Sequence, residues 1–95
     1  MSSTGLNPIV DPSKLSCPTQ LSWATNVKGL FTSNDVDHMK HVTGGRLDLS
    51  DYTSTQIWAY KVYEYVANGY MPPGNPWTQD MVNTFGCWIQ QNFPP

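Results

Sequence analysis

Between residues 69 and 78 the chain reads Gly69-Tyr70-Met71-Pro72-Pro73-Gly74-Asn75-Pro76-Trp77-Thr78, and no regular helix can run through it. Three prolines fix φ and remove amide donors, while Gly69 and Gly74 admit turns that side chains resist. One helix must end before this stretch and another begin after it. The loop between them should act as a stiff lid that holds Met71 and Trp77 in set directions.

The flanking patterns fit two helices. Downstream, Thr78 is an N-cap, Asp80 suits the helix dipole, and Trp77 and Val82 occupy the positions of a hydrophobic staple. This helix should run to about Gln91 and end at Asn92-Phe93-Pro94-Pro95. Met81, Val82, Phe85, Trp88 and Ile89 share its core face, and Cys87 projects from the opposite side and is expected to be exposed. Upstream, a long helix is expected from about Thr53 to Asn68, stopped by Asn68-Gly69. Thr55, Ala59, Val62, Tyr63 and Val66 form its core stripe at helical spacing. Ile57, Trp58, Tyr60 and Tyr65 lie outside that stripe, leaving only Lys61 and Glu64 as clear solvent positions. A helix apolar nearly all round needs a second partner, either another subunit or a ligand.

The first half of the chain is punctuated differently. Residues 1–20 carry Pro8, Pro12 and Pro18 among small polar residues and read as an extended surface arm pinned by Ile9, Val10 and Leu15. Trp23, Val27, Leu30 and Phe31 predict a first short helix over 22–31, weakened by Gly29. Thr32-Ser33-Asn34-Asp35 is a capping box with Asp in place of Glu, opening a second short helix over 33–41. Thr43-Gly44-Gly45 breaks it, and Arg46 to Ser50 forms a turn in which Arg46 is a surface charge or a partner for Asp48. Nothing alternates with period two long enough to make a strand. The expected fold is all-α: a single domain over 21–95 of four short helices with long ordered loops, preceded by the arm 1–20.

At 95 residues and a net charge of −2, the chain has no basic footprint for nucleic acid and no field to attract an anionic membrane. A domain this small buries roughly 60–65% of its unfolded surface. Four tryptophans, five tyrosines and three phenylalanines exceed what such a core readily holds, so some should line a pocket or an interface. The N-terminal residues lack a charged region followed by an apolar one, and no later run approaches a membrane span, so a soluble, cytoplasmic protein is expected. Cys17 and Cys87 are too few for a disulfide scaffold and are expected to stay as thiols in a reducing compartment.

The order of parts is similar to a class I cytochrome c domain. The resemblance covers about residues 22–95 and rests on Val27-Lys28-Gly29-Leu30-Phe31 closing a first helix, Leu47-Asp48-Leu49-Ser50, the Asn68-Gly69 stop, Met71-Pro72-Pro73, and Phe85 with Trp88-Ile89 before a proline. In that family CxxCH follows the first helix and the methionine of the MPP-type loop is the distal haem ligand. Here the register reads Asp35-Val36-Asp37-His38-Met39, which rules out covalent haem attachment, and only Met71 keeps a ligand-type residue at its family position. The resemblance implies a small cytochrome c-like bundle without haem. Its central space is then filled by Met39, Met71, Tyr63, Trp77 and Trp88, or it admits a small molecule.

The densest chemistry lies on the second helix. Asp35, His38 and His41 recur at intervals of three and share one face, a row able to run acid–base chemistry or to form a polar face with Asp35 as a cap. Two histidines at this spacing are a weak metal signal, and with Met71 they would suit copper. No nucleophile triad, phosphate loop or carboxylate pair stands out, and Gly44-Gly45 is a turn rather than a phosphate cradle. The first functional expectation is a haem-free cytochrome c-like domain that takes a small, largely apolar organic molecule between the second helix and the Met71–Trp77 loop, as a small biosynthetic enzyme. His38 would be its general acid or base, Asp35, Asp37 or His41 would assist, and Met39, Tyr63, Met71, Trp77 and Trp88 would be its walls. No resident cofactor or metal is expected. The alternative is a non-catalytic interaction module in which Ile57, Trp58, Tyr60 and Tyr65 join two copies or dock on a partner enzyme. Non-covalent haem or copper binding comes third.

Overall fold

The computed structural model describes residues 10–72 and 74–95; the expected contribution of Ile9 and residues 1–8 to the arm, and that of Pro73 to the loop, lie outside them. Every regular element among the described residues is helical. Four α-helices follow in order: α1 (Ser33–Val42), α2 (Tyr52–Ile57), α3 (Ala59–Ala67) and α4 (Gln79–Gln90). Helix α4 is central, packing on α3 along one side and receiving the N-terminal arm and the first helical turns on others.

The stripes that define α3 and α4 are buried as their spacing requires. Thr55, Ala59, Val62, Tyr63 and Val66 are buried, as are Val82, Phe85, Trp88 and Ile89, while Met81 is half-buried. Thr78 caps α4 by accepting a hydrogen bond from the Met81 amide at 3.3 Å. Leu47 and Leu49 add two fully enclosed side chains from the loop after α1. Within that loop Ser50 donates its hydroxyl and its amide to Asp48, which holds the Asp48 carboxyl below the usual carboxylate range. The cation beside Asp48 is Lys40, at 3.6 Å.

Three expectations are corrected. The first helix is not regular: a wide π-type turn, Trp23–Val27, passes into a 3-10 turn, Lys28–Leu30. Polar side chains compete for its backbone, since Asn26 accepts from the Ser22 amide and Ser22 from the Thr25 amide, and Gly29 adds flexibility. The long third helix is interrupted at Trp58, whose ψ of 8° separates α2 from α3. The break follows a run of poor helix formers, Thr53-Ser54-Thr55, and leaves Trp58 half-buried against the core.

The third correction concerns the cysteines. Cys17 and Cys87 form a disulfide with Cα atoms 5.6 Å apart, and Cys87 is buried. Cys87 does face away from the main core, but the arm covers that back side of α4. Pro12–Lys14 makes a 3-10 turn there, so the arm is not wholly extended. Gln90 donates to the carbonyls of Pro12 and Leu15, Gln91 donates to that of Thr19, and the Leu21 amide donates back to Gln91.

Gly86 makes this closeness possible. A Cβ there would collide with a Leu15 methyl and stand 2.8 Å from the Tyr63 ring, so the helix takes a glycine despite its propensity cost. Gly86→Val is expected to destabilise the domain by about 1–3 kcal/mol through overpacking. Urea denaturation measures the loss, and limited proteolysis should show earlier cleavage within residues 10–20. An unaltered midpoint would contradict the packing.

Tyr63 ties the arm from the α3 side by donating its hydroxyl to the Val10 carbonyl at 2.6 Å. Burial, reinforced by the Asp11 carboxylate, pushes its phenol pKa up. The unfolded phenol ionises first, so this contribution is complete below about pH 10, the ordinary tyrosine value, and is lost as pH rises toward the higher folded value. Alkaline unfolding of the wild type should therefore be steeper above that point than that of Tyr63→Phe, which has no phenol to ionise. Parallel curves would contradict the assignment.

The C-terminus closes the bundle. Asn92 and Phe93 adopt left-handed φ values of 66° and 58°, which reverses the chain after α4 and carries the Pro94 carbonyl back over Trp88. That carbonyl accepts from both the Trp88 indole N–H and the Trp23 amide at 2.9 Å, and Tyr52 donates its hydroxyl to the Phe93 carbonyl.

Candidate functional site

The start of α1 is built by the predicted capping box. Thr32 Oγ1 accepts from the Asp35 amide at 3.1 Å, and Asp35 Oδ2 accepts from the Thr32 amide at 2.9 Å. The reciprocal pair fixes the first turn and holds the Asp35 side chain inward, where it is buried. One turn later on the same side stands His38, exposed to solvent.

Opposite this turn lies the proline-rich loop. Trp77 is clamped by Phe31 and Phe85, with ring centroids 5.3 and 6.1 Å away, and is itself buried, at 9% exposure. Between the two walls is an open cleft of about 540 Å³. Asp35 and His38 line it from α1, Pro72 and Trp77 from the loop, and Leu30 and Met81 from the flanking turns. The starts of α1 and α4 thus border one hollow, with the loop as its rim.

Of the residues expected from sequence to form a site, Asp35, His38 and Trp77 meet in this cleft. The others do not border it. Tyr63, Met71 and Trp88 are buried in the core, at 4%, 3% and 0% exposure, so Met71 lies behind the loop rather than in the cleft. Met39 is buried and borders a separate hollow of about 200 Å³ that Trp58 and Tyr65 also line. Asp37 lines a third depression beside Leu49, and His41 is exposed outside all of these. Of the copper set, His38 and His41 are exposed and Met71 is buried. Among the described residues, no group of three or more His, Cys, Asp or Glu side chains is placed to hold a metal.

Comparison with protein families, with curated proteins and with solved structures finds no match. The chemistry of the cleft therefore has to be read from its own side chains. Asp35 and His38 share it but have no hydrogen bond to one another among the described residues; the bonded oxygen of Asp35 faces the Thr32 amide. His38 is thus free to meet a ligand directly, with Asp35 as a fixed negative charge one turn below it. Leu30 and Met81 were missed as lining residues because periodicity assigned both to helix core faces. The signal that could have placed them was their position, just before the α1 cap and one turn into α4, facing the same loop.

The four residues read as an outer face on the long helix divide. Ile57 and Tyr60 are strongly exposed, at 74% and 66%. Tyr65 is partly exposed and meets Tyr70 edge to face, with centroids 6.2 Å apart. Trp58 is turned inward.

Proposed function

We propose that the chain is a haem-free, cytochrome c-like domain that binds a small organic molecule in the cleft between α1 and the Met71–Trp77 loop, with His38 as its acid–base group. The observation that supports this is the convergence of Asp35, His38 and Trp77 on one hollow. Its size falls within the usual range for small-molecule sites, and its walls combine an indole with a carboxyl and an imidazole. His38 is accessible, and a solvated imidazole beside an aromatic wall can take or give a proton to a ligand held there. The apolar walls come from Leu30, Trp77 and Met81 instead of the deeper side chains expected from sequence.

Screening a fragment library against ¹⁵N-labelled protein by NMR tests the site. Shifts concentrated on Leu30, Asp35, His38, Trp77 and Met81 would support it, whereas shifts confined to other surfaces, or none, would overturn it. For any molecule found to be turned over, His38→Ala should abolish turnover while leaving the fold intact, and an unchanged rate would remove the acid–base role.

The exposure of Ile57 and Tyr60 favours a second reading, in which α2 and α3 dock on a second copy or a partner enzyme. Sedimentation of the unaltered chain across a concentration series tests the homodimer. A mass that rises with concentration and returns to the monomer value in Ile57→Glu would support it; a constant monomer mass would remove it. Trp58 is unsuited to this test because it packs on the core.

A further inference from the structure

The charge of the cleft narrows what it can hold. Asp35 is a buried residue, at 7% exposure, and among the described residues only one of its oxygens has a partner, the Thr32 amide. No lysine or arginine lines the cleft. Its bonded oxygen is committed to the cap of α1, and its second oxygen is left for whatever enters. Burying an acceptor without a donor is costly, and a charged donor satisfies it better than a neutral one. The other wall is Trp77, held by a tilted contact with Phe31 and an edge contact with Phe85, and an indole favours both flat apolar bodies and cations. An anionic ligand would meet Asp35 with no cation to offset it.

Resting on the cleft reading above, we propose that its ligand is an organic ammonium: a primary amine carried on a flat apolar body. The amine donates to the free oxygen of Asp35, and the apolar body lies along Trp77 and Met81. His38, exposed at the rim one turn further along α1, is left to act on the portion of the ligand that reaches solvent.

Three probes of one shape separate the charge class from the site: tryptamine, its neutral alcohol counterpart tryptophol, and the anion indole-3-acetate. Each is titrated into ¹⁵N-labelled full chain at constant ionic strength. Tryptamine is expected to bind at least about tenfold more tightly than tryptophol, as befits a charge-assisted contact to a carboxylate, and indole-3-acetate more weakly than either. Shifts should map to Leu30, Asp35, Trp77 and Met81. Asp35→Asn keeps an oxygen that can cap the Thr32 amide but removes the charge, so it should abolish the preference for tryptamine over tryptophol. Equal affinities for tryptamine and tryptophol, or a preference that survives in Asp35→Asn, would overturn the ammonium assignment and leave the cleft standing. Absence of binding by all three, or shifts mapped elsewhere, would overturn both. Should the variant not fold, the three-probe ranking on the unaltered chain decides the ammonium assignment alone.

Discussion

Trp88→Ala is expected to cost about 3–5 kcal/mol of folding stability, the range for removing a fully buried aromatic ring. Trp88 is fully enclosed, and its ring centroid lies 5.2 Å from that of Phe93, 5.5 Å from Phe85, 5.6 Å from Trp23 and 6.1 Å from Tyr52. Those four rings come from α2, α4, the first helical turn and the C-terminal reversal, so one truncation loosens four segments at once. The indole N–H also holds the Pro94 carbonyl. Trp88→Phe keeps most of the ring and should lose less, because Pro94 still accepts from the Trp23 amide. Against a typical domain stability of about 5–15 kcal/mol, the alanine variant should be near its unfolding threshold at ambient temperature. Urea denaturation followed by circular dichroism measures it. A loss below about 1 kcal/mol, well under the range for a buried aromatic, would mean that Trp88 is not the hub. The same experiment bears on its assignment as a ligand wall: a wall residue would change binding more than stability, whereas its burial predicts the reverse.

The sequence makes α3, α4 and the cap of α1 legible for one physical reason: each is written locally. A 3.6-residue stripe of Val82, Phe85 and Ile89, or a Thr32–Asp35 pair three residues apart, specifies its own helix without knowledge of the remainder. What it hides depends on contacts between distant segments. Cys87 sits on the face of α4 that helical periodicity assigns to solvent, and only the arm, some seventy residues earlier, turns that face into an interior. Gly86 reads as a weak point in a helix, yet it is the notch that Leu15 and Tyr63 require. Trp58 looks like one of four outward residues, yet at the break between α2 and α3 it packs half-buried against the core. The site shows the same division. Asp35 and His38 share a helix face by spacing alone, and the proline-rich loop is an evident wall. Which side chains reach the hollow and which stay behind it depends on depth, and composition carries no record of depth. Met71, Tyr63 and Trp88 have the chemistry of pocket walls, but they are a layer too deep.

Removing the disulfide should have an effect as large as removing Trp88. Cys17→Ser/Cys87→Ser opens a loop of 70 residues, and the chain-entropy relation gives about 4 kcal/mol for a closure of that length. The arm's remaining attachments are four hydrogen bonds to Gln90 and Gln91, one from Tyr63 and the insertion of Leu15 beside Gly86. Each is worth only about 1 kcal/mol net, and ordering each arm residue costs about as much, so without the covalent link the arm should open well before the helices do. Hydrogen exchange would then show residues 10–20 losing protection in the double variant while α3 and α4 keep theirs. Adding a thiol reductant to the unaltered chain should reproduce the variant's denaturation curve. If reductant left the wild-type curve in place, the disulfide would carry no stability and the hydrogen bonds alone would account for the arm. The outcome also decides where this fold is robust: a bond that contributes several kcal/mol to so small a core persists in oxidising compartments and is kept open by cytosolic thiols. Where thiols are kept reduced, α4 would stand uncovered at Gly86 and Cys87; where they are oxidised, the arm stays strapped to it.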